Sequence, residues 1–308
     1  METSIGSIKD PIEQFFAFMR ERQSIFLKKE QGLERPWTDD SILNKYKFTN
    51  VFREQDRTTK WFRENVRDPL RNSPEVFLAT AMFRMFNRIE IGQAIWTRMY
   101  SAWNDFCLTG NGKVLEENIR SKYPNGPWVT GAYLITSKKG MDKLTGICSI
   151  LEEFYHEKYP GWDPDEDIGW EDLAEEMLGL RGEVGLEDVW NWLKGVPYFG
   201  TFHSHEMVQD LRYTSLLDQA PDINTWTNPG PGCKRGLNRI KRIDINTPIK
   251  MNDAIAAMRE LLEISNNHWP NNYPALELHQ IEFQLCEYDK YLRVLESDGV
   301  RRPRSLYA

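Results

Sequence analysis

The chain has 308 residues, enough for one large domain or two, and its 39 lysines and arginines stand against 46 aspartates and glutamates, giving a net charge of −7. The sequence has no run of about 18 apolar residues and no signal-peptide pattern at its start, so it predicts neither a membrane span nor secretion. Four widely spaced cysteines exclude a zinc ribbon or a disulfide scaffold as the expected architecture. We expect a cytoplasmic monomer without metal or cofactor.

The negative charge is unevenly distributed along the chain. Acidic residues concentrate between Asp163 and Asp188. A locally basic surface therefore remains compatible with the overall charge, and counterion release at such a surface favours nucleic-acid binding. The 11 Trp, 15 Phe and 12 Tyr are sufficient for a large aromatic core.

Apolar periodicity predicts helices through the first half of the chain, beginning with a long amphipathic helix over residues 8–33. Asp40, with Thr38, is expected to cap a short helix through Leu43. Asn50 or Thr49 is then expected to cap a helix that ends before Pro69. One face of this helix carries five cations that could follow a phosphate backbone, although a solvated basic face is equally compatible with the pattern. The cations are Arg53, Arg57, Lys60, Arg63 and Arg67.

Residues 74–106 predict two buried helices hinged near Ile91–Gly92. The segment LTGNGKVLEE contains a Gly-Lys pair but not the GxxxxGKS or GxxxxGKT sequence of a phosphate-binding loop. A short extended piece at 128–136 and a helix from about Lys139 to Tyr159 complete this half. Since no segment alternates strongly enough for a sheet, the fold class is all-α.

Two helical segments flank the short sequence GVPYFG between Val189 and Leu211. Gly195 is expected to end the first helix in a left-handed conformation, and Gly200 to allow close backbone approach. Such a helix-hairpin-helix directs backbone N–H groups outward and suits a DNA phosphate. An ordinary αα-hairpin is the alternative.

The sequence GPGCKRGLNRIKR follows, with Gly230, Gly232 and Gly236 keeping the loop open. Its nine residues from position 234 to 242 include five cations, namely Lys234, Arg235, Arg239, Lys241 and Arg242. This composition predicts a phosphate-facing loop that enters a helix, or else a basic surface helix.

The last informative segment, LELHQIEFQLCEYDKYLRVLE, predicts a helix with two faces. Its core seam comprises Leu278, Ile281, Leu285 and Leu292. A polar stripe of Glu282, Cys286, Asp289 and Arg293 recurs at helical spacing and would be costly to bury without a purpose, whereas a surface ladder of salt bridges is the plainer alternative. The tail VRRPRSLYA is basic and broken by proline.

Three motifs now stand in order: YKFTNVFREQDR, then LKGVPYFGTFHSHEMVQDLRY with NPGPGCKRGL, then IEFQLCEYDKYLR. Together they resemble the α-glutamyl/putrescinyl thymine pyrophosphorylase family, which includes bacteriophage amino acid:DNA transferases of thymidine hypermodification. A related helical domain also accompanies kinases that phosphorylate 5-hydroxymethyluracil in DNA, and the missing phosphate-binding loop argues that this chain is not the kinase. The resemblance implies an all-helical fold distantly like helix-hairpin-helix DNA glycosylases, spread over a segment 1–45, a catalytic domain 46–296 and a basic tail 297–308.

The resemblance implies a transferase in a phage-infected host cell, which attaches an amino acid or polyamine to the 5-methylene of a phosphorylated 5-hydroxymethyluracil in double-stranded DNA. Phosphate or pyrophosphate leaves, and the base would be flipped out of the stack. The implied catalytic residues are Asp210, with Asp218 as the alternative aspartate, Glu282 as a second candidate base, and Cys286 as a thiolate that adds to the base. The implied substrate-binding residues are Glu287, Asp289, Lys290 and Arg293. The implied nucleic-acid-binding residues are Asn50, Arg53, Arg57, Gly195, Gly200, Gly230, Gly232, Lys234 and Arg235.

Two other functions remain open on the sequence. A glycosylase-like enzyme would share the hairpin and the aspartate but release a free base. A non-catalytic DNA-binding module would bind DNA regardless of Asp210 and Glu282. Where lyase-type glycosylases carry a hairpin lysine, this chain has Phe199 or its neighbours, so Schiff-base chemistry is not expected.

Overall fold

The computed structural model describes residues 5–97, 102–132, 134–158, 172, 174–175, 179 and 183–297, and within these ranges it contains helices and no β-strand. The predicted all-α class is confirmed, and the extended piece expected near 128–136 forms no strand at its described positions. In the part of the chain so described, no helix is long and apolar enough to cross a membrane. The chain divides into a first unit, Met1–Asp56 with Ile223–Ala308, and a second unit, Arg57–Asp222.

Thirteen α-helices lie within the described ranges. They are α1 Pro11–Glu30, α2 Ser41–Lys45, α3 Arg57–Phe62, α4 Glu75–Phe86, α5 Ile89–Trp96, α6 Ala102–Thr109, α7 Gly112–Lys122, α8 Lys143–Lys158, α9 Leu186–Lys194, α10 Gly200–Leu211, α11 Pro231–Ile240, α12 Met251–Ile264 and α13 Leu278–Glu296. Short 3₁₀ turns occur at Ile5–Ser7, Arg53–Gln55 and Ser265–Asn267, and a π-helical turn at Arg63–Arg67.

Each of the first two helices begins after an aspartate cap; the cap at Asp40 was predicted, whereas α1 starts at Pro11 and is shorter than the helix expected over residues 8–33. Asp10 accepts the N–H of Ile12 at 3.2 Å before α1, whose first residue is Pro11. Asp40 accepts the N–H groups of Ile42 and Leu43, both at 2.9 Å, before α2. An aspartate at this position satisfies N–H groups that have no partner within the helix.

The core of the first unit joins α1 and α2 to α11, α12 and α13. Phe15 of α1 packs edge-on against Tyr288 of α13 with ring centroids 5.5 Å apart, and Phe18 lies 5.2 Å from Tyr291. The buried face of α1 thus packs against α13, and the division predicted after residue 45 stays a prediction. The predicted tail begins at Ser297, and residues 298–308 lie outside the described ones.

Helix α11 lies against α13 at two glycines. A Cβ atom on Gly232 would come 2.3 Å from the Cys286 sulfur, and one on Gly236 would come 2.4 Å from the Leu285 carbonyl oxygen. Real Cβ atoms do not approach other atoms so closely. These glycines thus allow the two helices to pack more closely than any larger residue would, rather than keeping a loop open as the sequence suggested.

The basic helix expected over residues 50–67 is interrupted at Asp56. The N–H of Asn50 donates to Asp56 at 3.1 Å, so Asn50 does not cap a helix there. Arg53 belongs to the 3₁₀ turn of the first unit, whereas α3 begins at Arg57 in the second. Arg67 is 1% exposed and its guanidinium lies 5.0 Å from the Tyr213 ring centroid. The expected continuous face of five cations is wrong for these reasons.

The second unit is built on aromatic packing around α4. Phe62 and Phe83 stack with ring centroids 4.4 Å apart. The break between α4 and α5 is at Asn87, which takes a left-handed conformation with φ 47°, and not at Ile91–Gly92. Gly92 instead lies inside α5, where a Cβ would come 2.2 Å from the Trp61 ring.

Helices α9 and α10 form the expected pair around a short loop. The indole N–H of Trp190 donates to the Thr201 carbonyl at 2.9 Å. Gly195 ends α9 with φ −77°, a right-handed conformation, so the left-handed cap expected there is wrong. The left-handed positions are Tyr198, φ 71°, and Gly200, φ 64°, and no atom would crowd a Cβ on Gly200. The loop therefore requires glycine at position 200 because of its backbone conformation. The similarity of this hairpin to those of DNA glycosylases stays a prediction.

We predict that Gly236→Ala lowers the free energy of unfolding by about 1–3 kcal/mol, because the new methyl group forces α11 away from the Leu285 carbonyl. Urea denaturation measures the change. Gly131→Ala is the control, since nothing lies within 4 Å of a Cβ at that position. Equal stability of the two variants would contradict the close packing of α11 on α13.

Candidate functional site

Segments from all three sequence motifs meet on α13 in the first unit. The N–H of Thr49 donates to Glu287 at 3.2 Å, and the Gln284 side-chain amide donates to the Asn50 carbonyl at 3.0 Å. The N–H of Gly230, at the start of α11, donates to Glu282 at 3.2 Å. The predicted polar stripe therefore faces α11 through Glu282, whereas Glu287 and Gln284, which lie outside that stripe, hold the 46–56 segment.

A charged network fixes the 46–56 segment. Arg22, which is 2% exposed, donates to the carbonyl oxygen of Phe48 at 2.8 Å and also to that of Thr49. Lys290 donates to Glu287 at 2.5 Å on the other side of the segment. Since buried charges are costly without partners, these bonds hold the backbone of residues 48–50 in one place.

Asp56 is a partly buried carboxylate of this segment, and it accepts the N–H of Asn50 at 3.1 Å. Burial raises the pKa of its carboxyl from 3.8 to about 6, the Asn50 N–H and Arg22 lower it in part, and Glu287 raises it further. A carboxylate with a pKa close to neutral is effective as a general base. Sequence reasoning missed Asp56, although it stands in the quoted motif FREQDR, because a single aspartate at the edge of a basic face gives no signal of its burial.

The centre of the α11–α13 contact is Asp289, which is 0% exposed. Arg235 and Arg239 of α11 donate to its two oxygens at 2.8 and 2.9 Å, and Arg293 lies 3.2 Å away. Two of the basic residues predicted to face phosphate thus also hold the two helices together.

Cys286 is partly buried beside Gly232. Burial raises the pKa of its thiol to about 12, and the neighbouring Glu287 and Glu282 add to this shift. Because the thiolate is the nucleophilic form, this environment disfavours the predicted thiolate chemistry at neutral pH.

Asp210 lies in the second unit, on α10, and is 0% exposed. Arg84 donates to both of its carboxylate oxygens, with the Nη2 to Oδ1 bond at 2.7 Å. Arg84 also donates to Asn87 at 2.6 Å and lies over the Phe83 ring. The geometry gives Asp210 a structural ion pair, and its catalytic role stays a prediction.

The predicted site residues are divided between the two units. The first unit holds the larger set, namely Asn50, Arg53, Gly230, Gly232, Lys234, Arg235, Glu282, Cys286, Glu287, Asp289, Lys290 and Arg293. The second unit holds Arg57, Gly195, Gly200 and Asp210, together with Asp218, which pairs with Arg71 at 3.3 Å. Among the described residues, no group of three or more His, Cys, Asp or Glu side chains is arranged to hold a metal ion.

A family model for the helical domain of 5-hmdU DNA kinases matches residues 9–300. The chain belongs to this family. It is also 26% identical over 242 residues to a 5-hmdU DNA kinase of Bacillus phage SP10, an alignment that covers 74% of this chain and 36% of that protein. The chain thus spans about a third of the length of this relative. No solved structure matches it.

The sequence motifs indicated a helical domain related to that of 5-hmdU DNA kinases, and the family match confirms this relationship. The match covers the segments that meet on α13 and those of the second unit alike. The finer resemblance, to the pyrophosphorylases and transferases, stays a prediction.

We predict that the unfolding free energy of the wild type falls between about pH 4 and pH 6 relative to that of Asp56→Asn. The folded chain, in which the pKa of Asp56 is about 6, keeps a proton that the unfolded chain, near 3.8, has released. The contribution of Asp56 to the free energy of unfolding is complete below its unfolded-state pKa of 3.8. It is lost, by at most about 3 kcal/mol, as pH rises through its folded-state pKa of about 6. Urea denaturation at several pH values measures it, with the exposed Asp39→Asn as control.

We also predict that Asp210→Asn lowers the free energy of unfolding by about 3–5 kcal/mol, because it leaves the Arg84 guanidinium buried without its counter-charge. Asp105→Asn, on the exposed face of α6, should leave stability unchanged in the same denaturation experiment. A fully stable but inactive Asp210→Asn protein would instead favour the catalytic assignment.

Proposed function

We propose that this chain modifies DNA containing 5-hydroxymethylated uracil, by attaching an amine to the 5-methylene once that position carries a phosphate. The observation that carries the proposal is the match of residues 9–300 to the helical domain of 5-hmdU DNA kinases. This match supports a substrate in DNA that carries 5-hydroxymethyl-deoxyuridine, and the resemblance of the three motifs to the transferases supports the amine-attaching step.

The proposed reaction is a substitution at the exocyclic carbon of the base. A neutral amine forms a C–N bond to the methylene, the C–O bond to the phosphate breaks, and phosphate or pyrophosphate leaves with the bonding electrons. The amine releases a proton to a carboxylate. The protein must therefore supply a base near the attacking nitrogen and cations near the leaving group.

Residues of the first unit can meet both requirements. Asp56, with its pKa raised to about 6, is the preferred base, and Glu282 of α13, which accepts the N–H of Gly230, is the second candidate. Lys234 and Arg235 are candidates for the cations that stabilise the leaving phosphate. The predicted recognition of a cationic amine by Glu287 or Asp289 has to compete with Lys290 and Arg235, which already neutralise these carboxylates.

One observation favours a second function, that of a DNA-binding module without chemistry of its own. The matched region amounts to 36% of the phage kinase, in which it is accompanied by other sequence. In that case the carboxylates would serve the fold alone, and no base in DNA would change. The glycosylase-like alternative would instead leave abasic sites.

The test is mass spectrometry of nucleosides from duplex DNA that contains 5-phosphomethyl-deoxyuridine, incubated with the full chain and a pool of amino acids and polyamines. We expect a new adduct that has lost phosphate. Asp56→Asn should reduce its formation by roughly 100-fold or more, the usual range for loss of a general base, with the exposed Asp39→Asn as matched control. Cys286→Ser should retain most activity, because the high thiol pKa argues against a nucleophilic role.

An unchanged nucleoside without abasic sites would contradict the transferase and favour the binding module. Abasic sites without an adduct would favour the glycosylase.

A further inference from the structure

The contact between α11 and α13 contains more arginine N–H donors than carboxylate oxygens that can accept hydrogen bonds from them. Arg235, Arg239 and Arg293 surround the single carboxylate of Asp289, and among the residues that the structure describes only Arg239 of the three has a second acid, Glu296, at 2.5 Å. The five charges sum to +1, and each guanidinium offers five N–H donors. The Nη2 atom of Arg239 is buried and has no hydrogen-bond partner within the described part of the chain.

The geometry separates a buried arginine from two that reach solvent. The Arg239 side chain is 6% exposed, whereas those of Arg235 and Arg293 are 32% and 35% exposed. Arg235 Nε donates to Asp289 Oδ2 at 2.8 Å, whereas Arg293 Nε is ion-paired with the same oxygen at 3.2 Å without a hydrogen bond, so these two Nε atoms lie within about 6 Å of each other. Their terminal nitrogens have no hydrogen-bond partner among the residues that the structure describes.

Two like charges held so close together repel each other, and Asp289 offsets that repulsion. Arg235 is held by a hydrogen bond from its Nε to Asp289 and Arg293 by an ion pair to the same carboxylate, so the terminal nitrogens of both side chains stay available to a ligand. A guanidinium in this state suits bidentate binding of a phosphate.

We propose that Arg235 and Arg293 form a phosphate-binding clamp, and that Asp289 is the positioning residue that orients it. The inference rests on the proposed function for its substrate, duplex DNA. The phosphate is either one of the DNA backbone or the phosphomonoester on the modified base. The clamp differs from the roles expected from the sequence, in which Asp289 and Arg293 bind the amine donor.

The experiment measures the affinity of the full chain, by fluorescence anisotropy, for an unmodified duplex and for the same duplex with one 5-phosphomethyl-uracil. Arg235→Gln and Arg293→Gln should each weaken binding about tenfold, and each should reduce the slope of log K against log salt by roughly 1. Arg259→Gln, on the exposed side of α12, makes the same charge change elsewhere in the first unit and should bind nearly as the wild type does.

The two duplexes identify the source of the phosphate. Equal weakening on both duplexes assigns the clamp to the backbone, and weakening on the modified duplex alone assigns it to the phosphomonoester. Binding by the arginine variants that equals that of Arg259→Gln would overturn the clamp while leaving the proposed function intact. A wild type that binds neither duplex would contradict the proposed function itself.

Asp289→Asn separates positioning from simple charge. Removal of a negative charge should strengthen DNA binding if Asp289 only offsets the arginines, whereas loss of their orientation should weaken it about tenfold. Thermal unfolding establishes that the variant is folded. If it is not, Arg235→Lys with Arg293→Lys keeps the charge and removes the planar fork, and wild-type affinity in that double variant would overturn the proposal.

Discussion

The close approach of α11 to α13 is the constraint on which the first unit depends. Gly232 and Gly236 permit it, because a side chain at either position would meet Cys286 or the backbone of Leu285. At this spacing, Glu282 reaches the N–H of Gly230, and Asp289 reaches the arginines of α11. The acids of the α13 polar stripe, Glu282 and Asp289, are therefore buried because they accept hydrogen bonds from α11, which the two glycines allow to approach closely.

The same helix connects this contact with the 46–56 segment. Glu287 and Gln284 hold the backbone of residues 49 and 50 from one side, and Arg22 holds it from the other. Asp56 closes the loop by accepting the Asn50 N–H, and its burial among these charges raises its pKa. The same contacts thus stabilise the fold and raise the pKa of the Asp56 carboxyl toward neutrality, a combination that is common at functional sites.

Local patterns predicted the helices well where capping residues and apolar spacing agree. Asp40 before α2 and the core seam of α13 are cases in which the local signal and the tertiary packing require the same residues. The hinge at Asn87 was missed because an asparagine in a left-handed conformation resembles any other polar residue in a helical pattern.

The site was predicted in part. The sequence indicated that Glu282, Cys286 and Asp289 share a face, but the identity of the opposing surface depends on the tertiary approach of α11. The burial of individual side chains could not be predicted from the sequence either. Burial raises the pKa values of Asp56 and Cys286, and the packing of the second unit brings the Arg67 guanidinium over the Tyr213 ring. Spacing along the chain indicates none of these effects.

We propose that the segments meeting on α13 form the DNA-binding surface of this chain. Hydrogen–deuterium exchange of the full chain, with and without duplex DNA bearing 5-phosphomethyl-uracil, tests it most directly. The account predicts slower exchange on DNA binding in residues 47–56, 230–242 and 282–293. Protection confined to the hairpin region 195–211, with unchanged exchange in α11 and α13, would contradict it.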